Sequence, residues 1–176
     1  ALSLRPFRYL LMHKPINTLC SNVDEKHPSI FNYIDVTEKS ELHIVGRLDA
    51  DTTGLVLITD DGHWTYNIIT PDAQCEKVYR VQLRDEVTEE AIFKLEQGVM
   101  LVGKAKPTLP AKITLLSPNE VLLSITQGQL HQVKRMFRAV GNRVKQLHRE
   151  KIGQVSLDVE LGQWRYLTDK EINSFY

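Results

Sequence analysis

The sequence predicts an α+β fold built on a mixed, largely antiparallel sheet flanked by helices. Three observations carry that expectation. Strand-length apolar runs outnumber helical stripes, strict strand–helix–strand alternation is missing, and two runs stand on either side of a four-residue turn as a hairpin requires. The chain of 176 residues is 42% apolar and 25% charged. That is the balance of an ordinary packed protein, not of a disordered, collagen-like or disulfide-stapled one. The length fits one domain of about 100–200 residues.

The elements follow in order. Tyr9 to Met12 reads as a buried strand that stops at Lys14-Pro15. Leu42, Ile44 and Gly46 lead into a loop. Gly54 to Thr59 is a continuous apolar run, the pattern of a strand buried on both faces, and Asp60-Asp61-Gly62 after it is a turn signal. Val78 to Leu83 alternates, with Tyr79, Val81 and Leu83 on one face. Thr88 to Gln97 is a short helix with Thr88 as N-cap and Gly98 at its C-terminal end. Ile113–Leu116 and Val121–Ile125 pair around Ser117-Pro118-Asn119-Glu120. His131 to Val140 is a helix whose Val133, Met136, Phe137 and Val140 form one apolar stripe, ended by Gly141.

Several classes of function are disfavoured. No apolar run approaches the roughly 20 residues of a membrane helix. The segment Ala1 to Tyr9 lacks the apolar core and cleavage site of a secretory leader. Cys20 and Cys75, far apart and without partner ligands, suggest free thiols in a reducing cytosol and two buried small side chains. Six scattered histidines with no i, i+4 pair argue for no metal. Neither a phosphate-binding glycine loop nor a nucleophile elbow is present. The formal net charge is zero, yet residues 131–151 carry seven cations against one acid. A local basic block of this kind is either a solvated face or the footprint of a nucleic acid.

Gly46-Arg47-Leu48-Asp49 places a carboxylate beside an arginine in a loop between apolar segments. Asp49 there is either a turn-capping residue or a reactive acid, and Asp49 with Asp51 could be the acid and base of a glycoside hydrolase. Tyr79 is either a core tyrosine or a ring set against a flipped base. On the 131–140 helix, taking Val133 as the origin at about 100° per residue, Lys134 falls near ~100° at the edge of the apolar stripe. Arg138 then lies near ~140° and Arg135 near ~200°. Lys134 is thus the best placed to turn inward, while Arg135 points to solvent or phosphate.

Read together, LLMHKPINTLCS, GRLDADTTGLVLITDDG, CEKVYRVQL, QGQLHQVKRMFRAVGNRVKQLHREKIG and GQWRYLTDKEI, in that order, resemble the pseudouridine synthases that modify bacterial ribosomal RNA. The likeness runs from Tyr9 to Ile172, and the long basic block looks most like the small-subunit (16S) branch. The resemblance implies the pseudouridine synthase catalytic fold over residues 1–176, a single catalytic domain divisible into two subdomains around a cleft. It implies isomerisation of one uridine in 16S ribosomal RNA. Asp49 matches the catalytic aspartate, Tyr79 the tyrosine of the Lys-x-Tyr motif, and Lys134 the cation that pairs with the aspartate, with Arg135 as competitor. Leu147 matches the apolar residue lining the base pocket, and Arg47 the arginine that helps hold the RNA distorted. Arg135, Arg138, Arg143 and Lys145 would hold phosphates. The expected partner is ribosomal RNA, with no membrane and no cofactor, for a cytoplasmic monomer. The alternative is a non-catalytic RNA-binding or ribosome-assembly module on the same fold. Relatives usually carry a small S4-like RNA-binding module ahead of the catalytic domain, and the sequence shows none before Tyr9.

Overall fold

Residues 6–128 and 131–176 are described by the computed structural model of the chain. In chain order the strands and helices are β1 (Tyr9–Lys14), β2 (His43–Val45), β3 (Thr53–Thr59), α1 (Gly62–Ile69), β4 (Lys77–Leu83), α2 (Glu89–Gln97), β5 (Lys112–Ser117), β6 (Glu120–Ile125), α3 (Gln132–Ala139), β7 (Val144–Ile152), β8 (Val155–Ser156), β9 (Trp164–Tyr166) and α4 (Asp169–Asn173). The expected α+β class holds. The chain divides into two compact units, residues 1–70 with 154–176 and residues 71–153.

In the first unit the antiparallel order is β2–β3–β1–β9, with Tyr9 opposite Thr59 and Lys14 opposite Gly54. The apolar run behaves as its pattern predicts: Leu55, Val56, Leu57 and Ile58 are fully buried, as are Leu10, Leu11 and Met12 beside them. The strand ends at Asp60-Asp61-Gly62 as the turn signal predicts, and a helix that the sequence reading does not contain starts at Gly62. The Asp61 carboxylate accepts from the amides of His63 and Trp64 (3.1 and 3.2 Å), capping α1. Trp64 is fully buried, and its indole N–H donates to the Ile172 carbonyl of α4 (3.0 Å). Thr168 and Glu171 form a capping box that starts α4.

In the second unit the antiparallel order is β5–β6–β4–β7. Alternation along β4 sorts the side chains as expected: Tyr79, Val81 and Leu83 are buried, Arg80 and Gln82 exposed. On the exposed face Arg80 pairs with Glu150 (2.7 Å) and Glu120 (3.3 Å). Thr88 caps α2 through the Ala91 amide (3.0 Å). Gly98 ends that helix at φ +107, where a Cβ would meet the Thr108 carbonyl oxygen at 2.3 Å, so only glycine fits. Helix α3 lies against β7 and buries Val133, Met136 and Phe137. Eight residues are too few for a helix to persist alone in water, so burial of that stripe, about 1.5–3 kcal/mol per large side chain, holds it. Gly141, at φ +81, ends it.

All of these registers are antiparallel, and an isolated parallel bridge joins Leu19 to Ser29. The basic segment 144–152, read from sequence as a charge block, is a strand. Its charges obscured the period-2 pattern.

Candidate active site

In the first unit, Asp49 sits half-buried in the loop between β2 and β3. The loop is held by its backbone. The Thr52 amide donates to the Asp49 carbonyl (3.0 Å), and the Asn17 amide to that of Ala50 (2.7 Å). The Leu48 amide donates to the Cys20 sulfur (3.4 Å). The strongest restraint is Lys14, whose side chain is wholly buried at the end of β1. Its ammonium donates to the carbonyls of Thr52 (2.7 Å), Pro15 (3.0 Å) and Ala50 (3.2 Å). An ammonium has three donors, so its capacity is matched. Burial lowers the Lys14 pKa, and the Cys20 thiol and the carboxylates of Asp51 and Asp49 oppose that shift. Desolvating a lone cation costs several kcal/mol, and hydrogen bonds to a charged group return about 1.5–3 kcal/mol each. The two nearly balance. The gain from Lys14 is therefore geometric: it fixes the peptide groups on the C-terminal side of Asp49. Arg47 and Asp51 are exposed.

In the second unit, strand register decides which side chains share a face. Tyr79 lies opposite Leu123 and Arg149, and Val81 opposite Val121 and Leu147. Tyr79, Leu147 and Arg149 therefore share the apolar face of the sheet. Tyr79 is 9% exposed and Arg149 2%, while Leu147 is half-buried. A register irregularity of the β4–β7 pair falls between Val78 and Tyr79. Next to it, burial lowers the Lys77 ammonium and raises the Cys75 thiol, and the Arg149 charge pushes both pKa values down.

Lys134 is half-buried on α3, flanking the buried Val133, as its place at the stripe's edge predicts. Arg135 departs from expectation. It is half-buried, and its guanidinium donates to the Val102 carbonyl instead of facing open solvent or a phosphate. A protein acceptor lay within reach on a loop whose course the helical wheel does not contain. Arg138, Arg143 and Lys145 are exposed. Among the described residues, no group of three or more His, Cys, Asp or Glu is placed to hold a metal ion.

Two residues escaped the sequence reading. In sequence, Lys14 closes the apolar run YLLMHK and looks like a strand stop, whereas the structure buries its side chain. Arg149 stands two residues after Leu147 on one strand face, yet its place in the basic block makes it look like a surface charge.

The first unit thus presents a carboxylate on a clamped loop. The second presents a phenol ring on a strand and an ammonium on a short helix. The family described as RNA pseudouridylate synthase matches residues 8–139. The chain is 48% identical over 179 aligned positions to the "Ribosomal small subunit pseudouridine synthase A" of Vibrio vulnificus (strain CMCP6), covering 99% of this chain and 77% of that protein. Identity to the protein of the same name from Escherichia coli (strain K12) is 45%, over 95% of this chain and 73% of that one. A crystal structure of a pseudouridylate synthase superimposes with a TM-score of 0.93 at 44% identity, covering 98% of this chain and 75% of the other. These likenesses overturn the glycoside hydrolase reading of Asp49 and Asp51, and they give the non-catalytic alternative no support. The chain belongs to the RNA pseudouridylate synthase family.

Proposed function

We propose that this enzyme isomerises a uridine of small-subunit ribosomal RNA to pseudouridine, in the cytoplasm and as a monomer. The carrying observation is identity of 45–48% over nearly the whole chain with proteins named for that activity. Among the described residues no helix is long and apolar enough to cross a membrane.

The reaction breaks the N1–C1′ bond of the uridine, turns the uracil, and joins C5 to C1′. C5 then loses its proton to solvent and N1 gains one, so atoms and electrons balance without a cofactor. A stacked base cannot turn in this way, so the nucleotide leaves the helix before reaction. In this proposal Asp49 is the carboxylate that acts on the sugar or base. Tyr79 supplies a ring for the uracil to stack on and a hydroxyl that assists removal of the C5 proton. Lys134 is the cation that the family resemblance matches to the partner of the catalytic aspartate. Leu147 lines the base pocket, and Arg47, Arg138, Arg143 and Lys145 contact RNA backbone. These assignments rest on family membership and on the position of each residue in its own unit.

The test uses transcripts of small- and large-subunit ribosomal RNA labelled with tritium at uridine C5. Tritium release from the small-subunit transcript alone is expected. Release from the large-subunit transcript instead, or from neither, contradicts the assignment. Binding of the small-subunit transcript without release would favour a non-catalytic module.

A further inference from the structure

The segment between α2 and β5 forms a compact loop whose tip is held, not loose. The Thr108 amide donates to the Val99 carbonyl (2.8 Å), and the Val99 amide donates to the Thr108 hydroxyl (2.9 Å). Side chains alternate along its first arm. Val99 and Leu101 are buried, while Met100 is 55% and Val102 88% exposed. Lys104 and Lys106 follow, both exposed. From Gln97 to Asn119 the chain has three lysines and no acid.

The loop is tied to the helix that carries Lys134. Arg135 donates to the Val102 carbonyl at the tip. Gln127 accepts from the Leu109 amide (2.9 Å) and from the side chain of Gln132 (3.1 Å), which is buried in the first turn of α3. Two outward aliphatic side chains beside two cations, on a backbone fixed by hydrogen bonds, are unlike a solvated surface turn. An aliphatic tip in water has no hydration benefit, and a pre-organised loop binds without the entropy cost of ordering.

We propose that residues 99–108 are a second RNA-contact element, in which Lys104 and Lys106 hold backbone phosphates and Met100 and Val102 cover an unstacked base beside the target uridine. The charge balance favours a polyanion over a protein or an apolar partner, and single-stranded RNA offers both phosphates and open base faces. Arg135 is then a positioning residue that registers this loop against α3. The proposal rests on the assignment of ribosomal RNA as substrate and deepens it.

The test compares wild type with the double variant Lys104→Glu/Lys106→Glu, using a small-subunit ribosomal RNA transcript. Equilibrium binding is measured across a salt series, and KM and kcat are followed by tritium release. With two phosphates of a single strand no longer neutralised, the slope of log affinity against log salt should become shallower by about 1.4. KM should rise about 10-fold with kcat within about 2-fold, since the lysines serve binding and not the chemical step. Val102→Ser should raise KM by about 3-fold and leave the salt slope unchanged, because it removes only apolar contact. Lys170→Glu, an exposed lysine on α4 in the other unit, is the control and should leave binding unaltered. Unchanged affinity and slope in the double variant would overturn the proposal. So would an equal loss in Lys170→Glu, which would mark a generic charge effect. If wild type released no tritium, the substrate assignment would fall, while the binding isotherms would still decide the loop.

Discussion

The two units support their proposed functional side chains by different means. In the first, Asp49 rides on a loop whose course is set by polar contacts, chiefly the three carbonyls gathered by Lys14. In the second, Tyr79 and Leu147 stand on paired strands, where register and the apolar cover of α3 fix them many times over. A loop whose strongest restraint is one buried cation depends heavily on that side chain, whereas a strand residue is positioned by its neighbours as a group. Damage to the loop's support should cost activity and stability together. Damage to a strand-borne functional group should cost activity alone.

The largest expected effect is on the loop. Lys14→Met removes the ammonium and takes its hydrogen bond from the buried Thr52 carbonyl, at about 1–3 kcal/mol for a buried group left unsatisfied. The Ala50 carbonyl keeps its bond from the Asn17 amide, and the Pro15 carbonyl its bond from the Thr18 hydroxyl. Displacing the Asp49 peptide by even about 1 Å should lower kcat about 100-fold. Denaturant unfolding and tritium release on the same preparation check both losses. A fully active Lys14→Met enzyme would break the comparison.

Tyr79→Phe keeps the ring and the strand register but removes the hydroxyl. Loss of assistance to proton transfer should lower kcat by about 100-fold, with unfolding free energy changed by no more than about 1 kcal/mol. A large stability loss here would show that Tyr79 is a core residue first.

Gly98→Ala tests the loop between α2 and β5. The added Cβ would meet the Thr108 oxygen in a backbone region that L-residues rarely adopt. Destabilisation of about 1–3 kcal/mol should follow in a thermal melt. Unchanged melting would mean that the contact relaxes freely.

The smallest effect is at the chain's end. Arg165 and the Thr168 amide hold the Glu171 carboxyl at about 2, below its ordinary 4.5. A carboxyl depressed in the folded state contributes its stability above the unfolded pKa, and that contribution is lost as pH falls from 4.5 towards 2. Glu171→Gln should therefore melt lower than wild type at neutral pH by about 1–3 °C, with the gap closing near pH 2. A gap that persists at pH 2 would contradict the linkage.

What could be read from sequence tracks these same physical differences. The continuous run at Gly54–Thr59 and the alternation at Tyr79, Val81 and Leu83 announce burial directly, because core packing is written in hydrophobic period. The family motifs fixed the candidate residues in both units. Helix α1 was hidden because Asp61 serves equally well in a turn and as a cap, and only the chain beyond decides which. Lys14 and Arg149 were hidden because a charged side chain reads as surface until its acceptors, which lie far away in sequence, are known. Arg135 was misplaced for the reverse reason: its helical angle was sound, but the Val102 carbonyl that receives it belongs to a loop about which the helical wheel is silent.

The central claim is that the Asp49 carboxylate performs the chemistry on an RNA that the rest of the protein binds. Its most direct test is Asp49→Asn with C5-tritiated small-subunit ribosomal RNA, measuring binding and single-turnover tritium release together. Removal of a group that acts in the bond-breaking step should abolish release, by at least about 10³-fold, and leave RNA affinity within about 2-fold of wild type. Tritium release at the wild-type rate from this variant would contradict the account.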